Sequence, residues 1–413
     1  MAAKILAYLY NFDFMTYLGD HVWGSRTTTL ETMKSQANDV IKLLHESHKG
    51  IPCFHAIGNH DTSLYYDEYW EENGDSSNFM PSGEWLFNTF TNLSASDNTT
   101  FGNSTYGGYC YRDFEDKKLR VYLLNTSESI LYNELHPTAK ISSNCTGTQR
   151  KWFAESLNEL NTKNDANEWG FIVLSHYPAD FGPATMPLSE LIKAYVEGSS
   201  ISIELENSGG LTFNTTFNNN KARMMAQFHG HVHNFLTSKL YSYASGSATQ
   251  YNAWRMAIPN CQFNRENYYT TVGAYTDISF KDSTTYTKTA NTAKDTSFVV
   301  NIINPSEELI YSLCYGAGKD RTISYKNVIY YEVEKVLEQV TTSNSIYSIE
   351  KGKSYEVTLI PTNLHNLTSV TVTMGEQDVS NYYNSTTKTI TIPNVTGKII
   401  IKAVAIRPVA SIN

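Results

Sequence analysis

Gly58-Asn59-His60-Asp61 follows the apolar run Ile51-Pro52-Cys53-Phe54-His55-Ala56-Ile57, and the reading of this junction decides the fold. A short apolar run that stops at a cluster of polar side chains reads as a buried strand entering a functional turn. The arrangement recurs three times. Phe14-Met15-Thr16-Tyr17-Leu18 leads into Gly19-Asp20-His21, and Gly170-Phe171-Ile172-Val173-Leu174 leads into Ser175-His176-Tyr177-Pro178. Met224-Met225-Ala226-Gln227-Phe228 leads into His229-Gly230-His231-Val232-His233. Taken singly, each cluster has an ordinary reading. Asp20 could cap a helix, and Asn59-His60-Asp61 could be a polar turn. Four strands that each end in Asp, Asn or His instead describe a metal site at the carboxyl ends of strands in a sheet flanked by helices. His231 and His233 occupy alternate positions of an extended segment and so point to one side. His229 shares that side, but its place before the glycine reads as a buried or supporting histidine. His21 and His55 read as surface and strand residues.

In this order, Leu18-Gly19-Asp20, Gly58-Asn59-His60-Asp61, Ser175-His176 and Gly230-His231-Val232-His233 resemble the motifs of the calcineurin-like metallophosphoesterases. That superfamily includes purple acid phosphatases, phosphodiesterases and sphingomyelinase-like enzymes. The resemblance covers residues 1–325 and rests on the combination, since Gly-Asp alone carries nothing and Gly-His-x-His little. It implies an α/β fold, a two-sheet α-β-β-α sandwich. It also implies a dinuclear centre of Mn, Fe, Zn or similar ions roughly 3.5–4 Å apart. Asp20 would bridge the ions, Asn59, His176 and His231 would complete one site, and His233 would belong to the other. A metal-activated hydroxide would attack phosphorus in line. His60 would act as general acid on the leaving oxygen, with Asp61 orienting it.

One part of the family pattern is not met. The first motif, Asp-x-His, does not occur in residues 1–19, where Ile5, Leu6, Leu9 and Phe12 fall at helical spacing. The chain therefore reads as beginning after the family's first strand, with one metal site complete and the other short of ligands. The expected activity is metal-dependent hydrolysis of phosphomonoesters or phosphodiesters. The alternative is a non-catalytic surface or phage tail-associated binding or structural protein on a degenerate phosphoesterase scaffold.

Composition bounds the partners. The net charge of −9 leaves no basic field to draw in nucleic acid, so an anionic substrate must be attracted by bound cations. Only 18% of the 413 residues are charged, while 29 are Tyr. This texture favours an extracellular, cell-surface or virion setting over the cytoplasm. No run approaches the roughly 18 apolar residues that span a bilayer. Cys53, Cys110, Cys145, Cys261 and Cys314 are scattered without paired spacing and read mostly as free thiols, Cys110 with Cys145 being the one candidate disulfide.

After residue 341 the pattern changes to strands of period two, among them 354–360, 369–374, 388–392 and 398–405, separated by turn residues. This reads as a small all-β, immunoglobulin-like module over 341–413, joined by a linker over 326–340. It resembles β modules of bacterial surface and phage tail-associated proteins, which implies binding or tethering to a cell-surface or virion partner. Two polar stretches, 62–110 and 197–221, either wall the substrate cleft or pack their own aromatic residues as surface insertions.

Overall fold

The structure is a computed structural model and describes residues 11–22, 29–48, 50–61, 93–102, 108–128, 145–183, 185–205, 210–218, 220–232, 237–242, 248–258, 274–276, 285–287, 298–316, 320–326, 330–346, 348–375 and 377–408. It divides into two units, Met1–Tyr325 and Lys326–Asn413.

The first unit is an α/β domain built on a seven-stranded mixed sheet. Its middle strands are β5 (Leu119–Leu123), β6 (Gly170–Ser175) and β9 (Arg223–His229). Every residue of β5 and β6 is buried, as strands covered on both faces must be, and Arg120 of β5 is accommodated by its ion pair with Asp113 at 2.6 Å. β5 pairs parallel with β6, and β6 parallel with β9. On one side the sheet continues through β4 (Cys110–Phe114) to β3 (Thr99–Phe101). On the other it continues through β11 (Thr249–Ala257) to β10 (Thr237–Ser242).

Helix α2 (Gly147–Leu160) follows β5, and α3 (Met186–Glu197) follows β6. Thr146 caps α2 by accepting a bond from the backbone N–H of Gln149 at 3.2 Å. One face of the sheet, with Tyr122, Phe171, Val173 and Met224, packs on Phe153, Leu157, Leu191 and Tyr195 of these helices. The opposite face, with Val121, Leu123, Ile172 and Leu174, packs on Phe54, Ala56, Ile310 and Ile323. Those residues belong to or adjoin a second layer of strands. In it β1 (Met15–Tyr17) pairs parallel with β2 (Cys53–His55). β14 (Phe298–Asn304), β15 (Leu309–Tyr315) and β16 (Arg321–Ser324) form an antiparallel meander. Beyond that layer, α1 (Leu30–His48) lays Met33, Ala37 and Ile41 on Val22 and Ile57. Burying a large apolar side chain of this kind contributes roughly 1.5–3 kcal/mol, and one main cluster lies on each face of the sheet.

Of the polar stretches flagged in the sequence, 62–92 lies outside the described residues. Within 197–221, β7 (Ser200–Glu204) and β8 (Thr212–Thr216) form a two-stranded hairpin. β12 (Ala274–Thr276) and β13 (Thr285–Thr287) form another. The helix expected around Ile5–Phe12 falls almost wholly in residues outside the description. Cys53, Cys110, Cys145 and Cys314 are free thiols, so Cys110 and Cys145 are not bridged. Among the described residues no helix is long and apolar enough to cross a membrane.

The second unit is all β. One sheet has the order β19-β17-β25-β21-β22, from Ser348–Glu350, Tyr330–Glu338, Ile399–Ile406, Asn366–Met374 and Gln377–Asp378. The other has the order β18-β20-β24-β23, from Val340–Thr342, Tyr355–Pro361, Thr389–Ile392 and Tyr383–Asn384. Ile399, Ile401, Ala403 and Ala405 alternate inward from β25 to meet Tyr355, Val357, Leu359, Ile390 and Ile392. That alternation is the period-two pattern of the sequence. The stretch 326–340, read as a linker, instead contributes strand β17, which pairs parallel with β25. Its alternation is disguised because Lys335 stands between Val333 and Leu337. The Lys335 ammonium escapes burial by donating to the Asn344 carbonyl at 2.8 Å.

Candidate metal centre

Two parallel strand pairs bring the polar clusters to one edge of the fold. β1 and β2 run side by side, as do β6 and β9, so their carboxyl ends deliver Asp20, Asn59, His176 and His231 together. Donor atoms of Asp20, His176 and His231 all lie within 4.8 Å of one another. The Asn59 side-chain oxygen sits between the two imidazoles, 3.0 Å from His176 Nε2 and 3.1 Å from His231 Nδ1. The second carboxylate oxygen of Asp20 is 3.4 Å from His176 Nε2.

The glycines of the motifs make this approach feasible. Gly19 has φ +95°, and a Cβ there would overlap the His176 ring. A Cβ on Gly58 would overlap the Asp20 carboxylate. Asp20 and His231 themselves hold left-handed backbone, with φ of 58° and 62°. Such conformations cost on the order of 1–3 kcal/mol for a non-glycine residue and collect at functional sites.

The donor set tests whether a cation fits. His176 Nδ1 lies 2.7 Å from the Leu18 carbonyl and so carries the proton that it donates there. Its Nε2 then presents a lone pair to the Asn59 oxygen and the Asp20 carboxylate. Three acceptors that face one another are repulsive unless a cation stands among them. A backbone carbonyl on the far nitrogen of a histidine is also the usual way a ligating imidazole is oriented. Nitrogen and oxygen donors without thiolate suit Mn, Fe, Zn or a similar borderline ion.

Asp61 is fully buried and anchors the two loops to each other. Its carboxylate accepts from the backbone N–H groups of Gly58 at 2.8 Å, Asp20 at 3.0 Å, His21 at 2.7 Å and Val22 at 3.2 Å. The His21 ring nitrogen Nδ1 is a fifth partner at 3.2 Å. The bond to His60 expected from the sequence is not among these. The turn folds the Asp61 side chain back onto the Gly58 N–H. Burial pushes the Asp61 carboxyl up, but His21 and the N–H groups of Gly58 and Val22 outweigh it and hold the carboxyl below the usual carboxylate range. His60 is also buried, and its backbone N–H donates to the Asp20 carboxylate at 3.1 Å.

His21, read as a surface residue, has a side chain only 3% exposed. Its Nε2 reaches His55 Nδ1 at 3.0 Å, and His55 stacks on Tyr17 with ring centroids 5.0 Å apart. Both ring nitrogens of His21 are thus engaged inside the protein. His229 is completely buried, and burial, aided by nearby Arg255, pushes its imidazole down to about 3. It stays neutral beneath the site. His233 lies outside the described residues.

The loop after His176 is fixed at successive residues. The Tyr177 backbone N–H donates to Thr126 Oγ1 at 2.8 Å, and that of Ala179 to Gln227 Oε1 at 3.1 Å. Asp180 is buried, ion-paired with Arg255, and accepts from the Tyr241 backbone N–H at 2.9 Å. Burial pushes the Asp180 carboxyl up despite Arg255. This loop sets Tyr177 and Phe181 against His231, with ring centroids at 4.1 Å and 4.8 Å.

The calcineurin-like phosphoesterase family model matches residues 2–235. More than half of the chain is matched, and the chain belongs to this family. No curated protein matches it significantly. The family relation makes metal binding and action on phosphoester bonds the coarse functional class of the first unit. Asp61 as an inter-loop anchor and the Tyr177–Phe181 aromatics were missed by sequence reasoning. Asp61 stood in a motif already noticed. Phe181 carried no signal beyond lying five residues after His176.

Proposed function

We propose that this chain is a metal-dependent phosphoester hydrolase whose centre is held by Asp20, Asn59, His176 and His231. The observation that carries the reading is the convergence of two further acceptors on the His176 Nε2 lone pair, Asn59 Oδ1 at 3.0 Å and Asp20 Oδ2 at 3.4 Å. When bound there, an ion such as Mn, Fe or Zn supplies positive charge to the phosphoryl oxygens and acidifies water into a nucleophile near neutral pH. Asp20 and His233 are the residues of this chain that would serve a second ion. The two faces of the seven-stranded sheet, one packed on helices and one on a second strand layer, support the family's two-sheet sandwich.

His60 is assigned the proton for the leaving oxygen. Its turn is held rigidly, because its own N–H bonds to Asp20 and the next residue, Asp61, ties that turn to residues 20–22. General acid catalysis by a placed imidazole is worth roughly 10²–10⁴-fold. His60→Ala should lower turnover on an aryl phosphate diester or monoester by about that factor while metal content stays unchanged. The loss should be largest for poor leaving groups. If His60→Ala loses metal in proportion to rate, His60 is a ligand or a structural residue and the assignment is wrong. The second unit, immunoglobulin-like in our reading, is assigned binding or tethering to a cell-surface or virion partner. The weakly charged, Tyr-rich composition supports an extracellular, surface or virion setting.

A further inference from the structure

We infer that Phe181 is a specificity-determining residue, an aromatic wall that selects phosphoesters whose organic group beside the phosphorus is flat and apolar. The inference rests on the phosphoesterase reading and names a substrate class for it. Phe181 is 43% exposed, although its ring lies 4.8 Å from both Tyr177 and His231. It meets the His231 ring edge to face at 84°, so one side of it is anchored at the metal centre and the remainder faces solvent.

An exposed phenylalanine on a mobile loop would mean little. Here the loop is held on both sides of the ring. Asp180 is buried and bonded to Arg255 and to the Tyr241 backbone, and the Phe181 N–H donates to the Pro178 carbonyl at 3.1 Å. After the ring, Thr185 Oγ1 accepts from the Gly182 N–H at 3.2 Å. The scaffold therefore keeps an apolar face exposed beside His231 where collapse into the core would otherwise bury it. Asn59, His176 and His231 would hold the ion that binds a phosphoryl group, and the Phe181 ring stands 4.8 Å from the His231 ring, so a group carried on that phosphoryl would be placed beside the exposed face. Aromatic stacking there gives flat apolar groups a gain that small alkyl or polyol groups do not share.

The test is binding, so that it does not depend on turnover. The full chain, loaded with Mn, is titrated with phenylphosphonate and with methylphosphonate, which share the phosphoryl group and differ in the organic part. Wild type should bind phenylphosphonate about five- to tenfold more tightly. Phe181→Ala and Phe181→Leu should abolish the preference and leave methylphosphonate affinity and Mn content unchanged, whereas Phe181→Tyr should retain the preference. The leucine variant fills the space beside His231 and guards against a folding defect in the alanine variant. No phenyl preference in wild type, or equal weakening of both probes in the variants, would overturn the inference and leave Phe181 as packing for His231. If neither phosphonate binds the Mn-loaded wild type, the phosphoesterase reading itself fails, and this inference with it.

Discussion

Asp61 shows how much one buried carboxylate can organise. It contributes no obvious ligand atom, yet it fixes the loop of Asp20 to the loop of Asn59 through four backbone N–H groups and the His21 ring. Removing it leaves buried donors without an acceptor, which is far costlier than the net worth of the bonds themselves. Asp61→Ala should destabilise the first unit by about 3–5 kcal/mol, measured by denaturant unfolding. Asp61→Asn, which keeps one acceptor oxygen, should lose less stability but still weaken metal binding, because Asp20 is no longer held against His176. A stable Asp61→Ala protein with unchanged metal affinity would refute the anchoring role. The ligand-type residues were legible because Asp, Asn and His at strand ends are rare in combination. The Asp61 contacts were not, because they join residues some forty positions apart, and no local pattern records which way a side chain turns within its own loop.

Strands and helices were legible to the extent that their burial was uniform or strictly alternating. β6 and most of β9 show as apolar runs, and β20 and β25 as alternation. β17 was not legible, because Lys335 occupies an inward position, where its ammonium donates to Asn344 and Thr342. A second half-buried lysine carries a testable cost. Lys239 on β10 lies 4.1 Å over the Trp254 ring and donates to Asn252 at 2.6 Å, and burial pushes its ammonium down to about 8. The folded state therefore holds the Lys239 proton less tightly than the unfolded chain, whose lysine titrates near 10.4. Between those values the unfolded state binds more protons, so this lysine's contribution to stability rises with pH from about 8 to about 10.4 and is unfavourable below. Lys239→Met should flatten that rise. At pH 7 it should stabilise the domain by on the order of 1 kcal/mol, discounted for partial exposure. An unaltered pH profile would show that the ammonium is solvated.

At the scale of the whole chain, the boundary at Tyr325 and Lys326 separates two bodies with their own cores. The change of texture read near residue 341 falls inside the second unit, whose first strand, β17, already begins at Tyr330. A chain of residues 1–325 should fold and keep metal binding and any phosphoesterase activity. Residues 326–413 should fold as a separate β unit. Calorimetry of the full chain should then show two transitions, each reproduced by one fragment. A fragment 1–325 that folds but loses metal would mean that the second unit supports the site.

Phosphoester hydrolysis by this chain would depend on an ion held by Asp20, Asn59, His176 and His231. The most direct measurement is hydrolysis of an aryl phosphate diester and monoester by the full chain after chelation, with Mn then added back, beside Asn59→Ala handled identically. Wild type should be silent after chelation and regain hydrolysis as Mn binds, while Asn59→Ala should bind Mn poorly and regain little. Hydrolysis that survives chelation, or an Asn59→Ala chain that recovers as wild type does, would contradict that dependence.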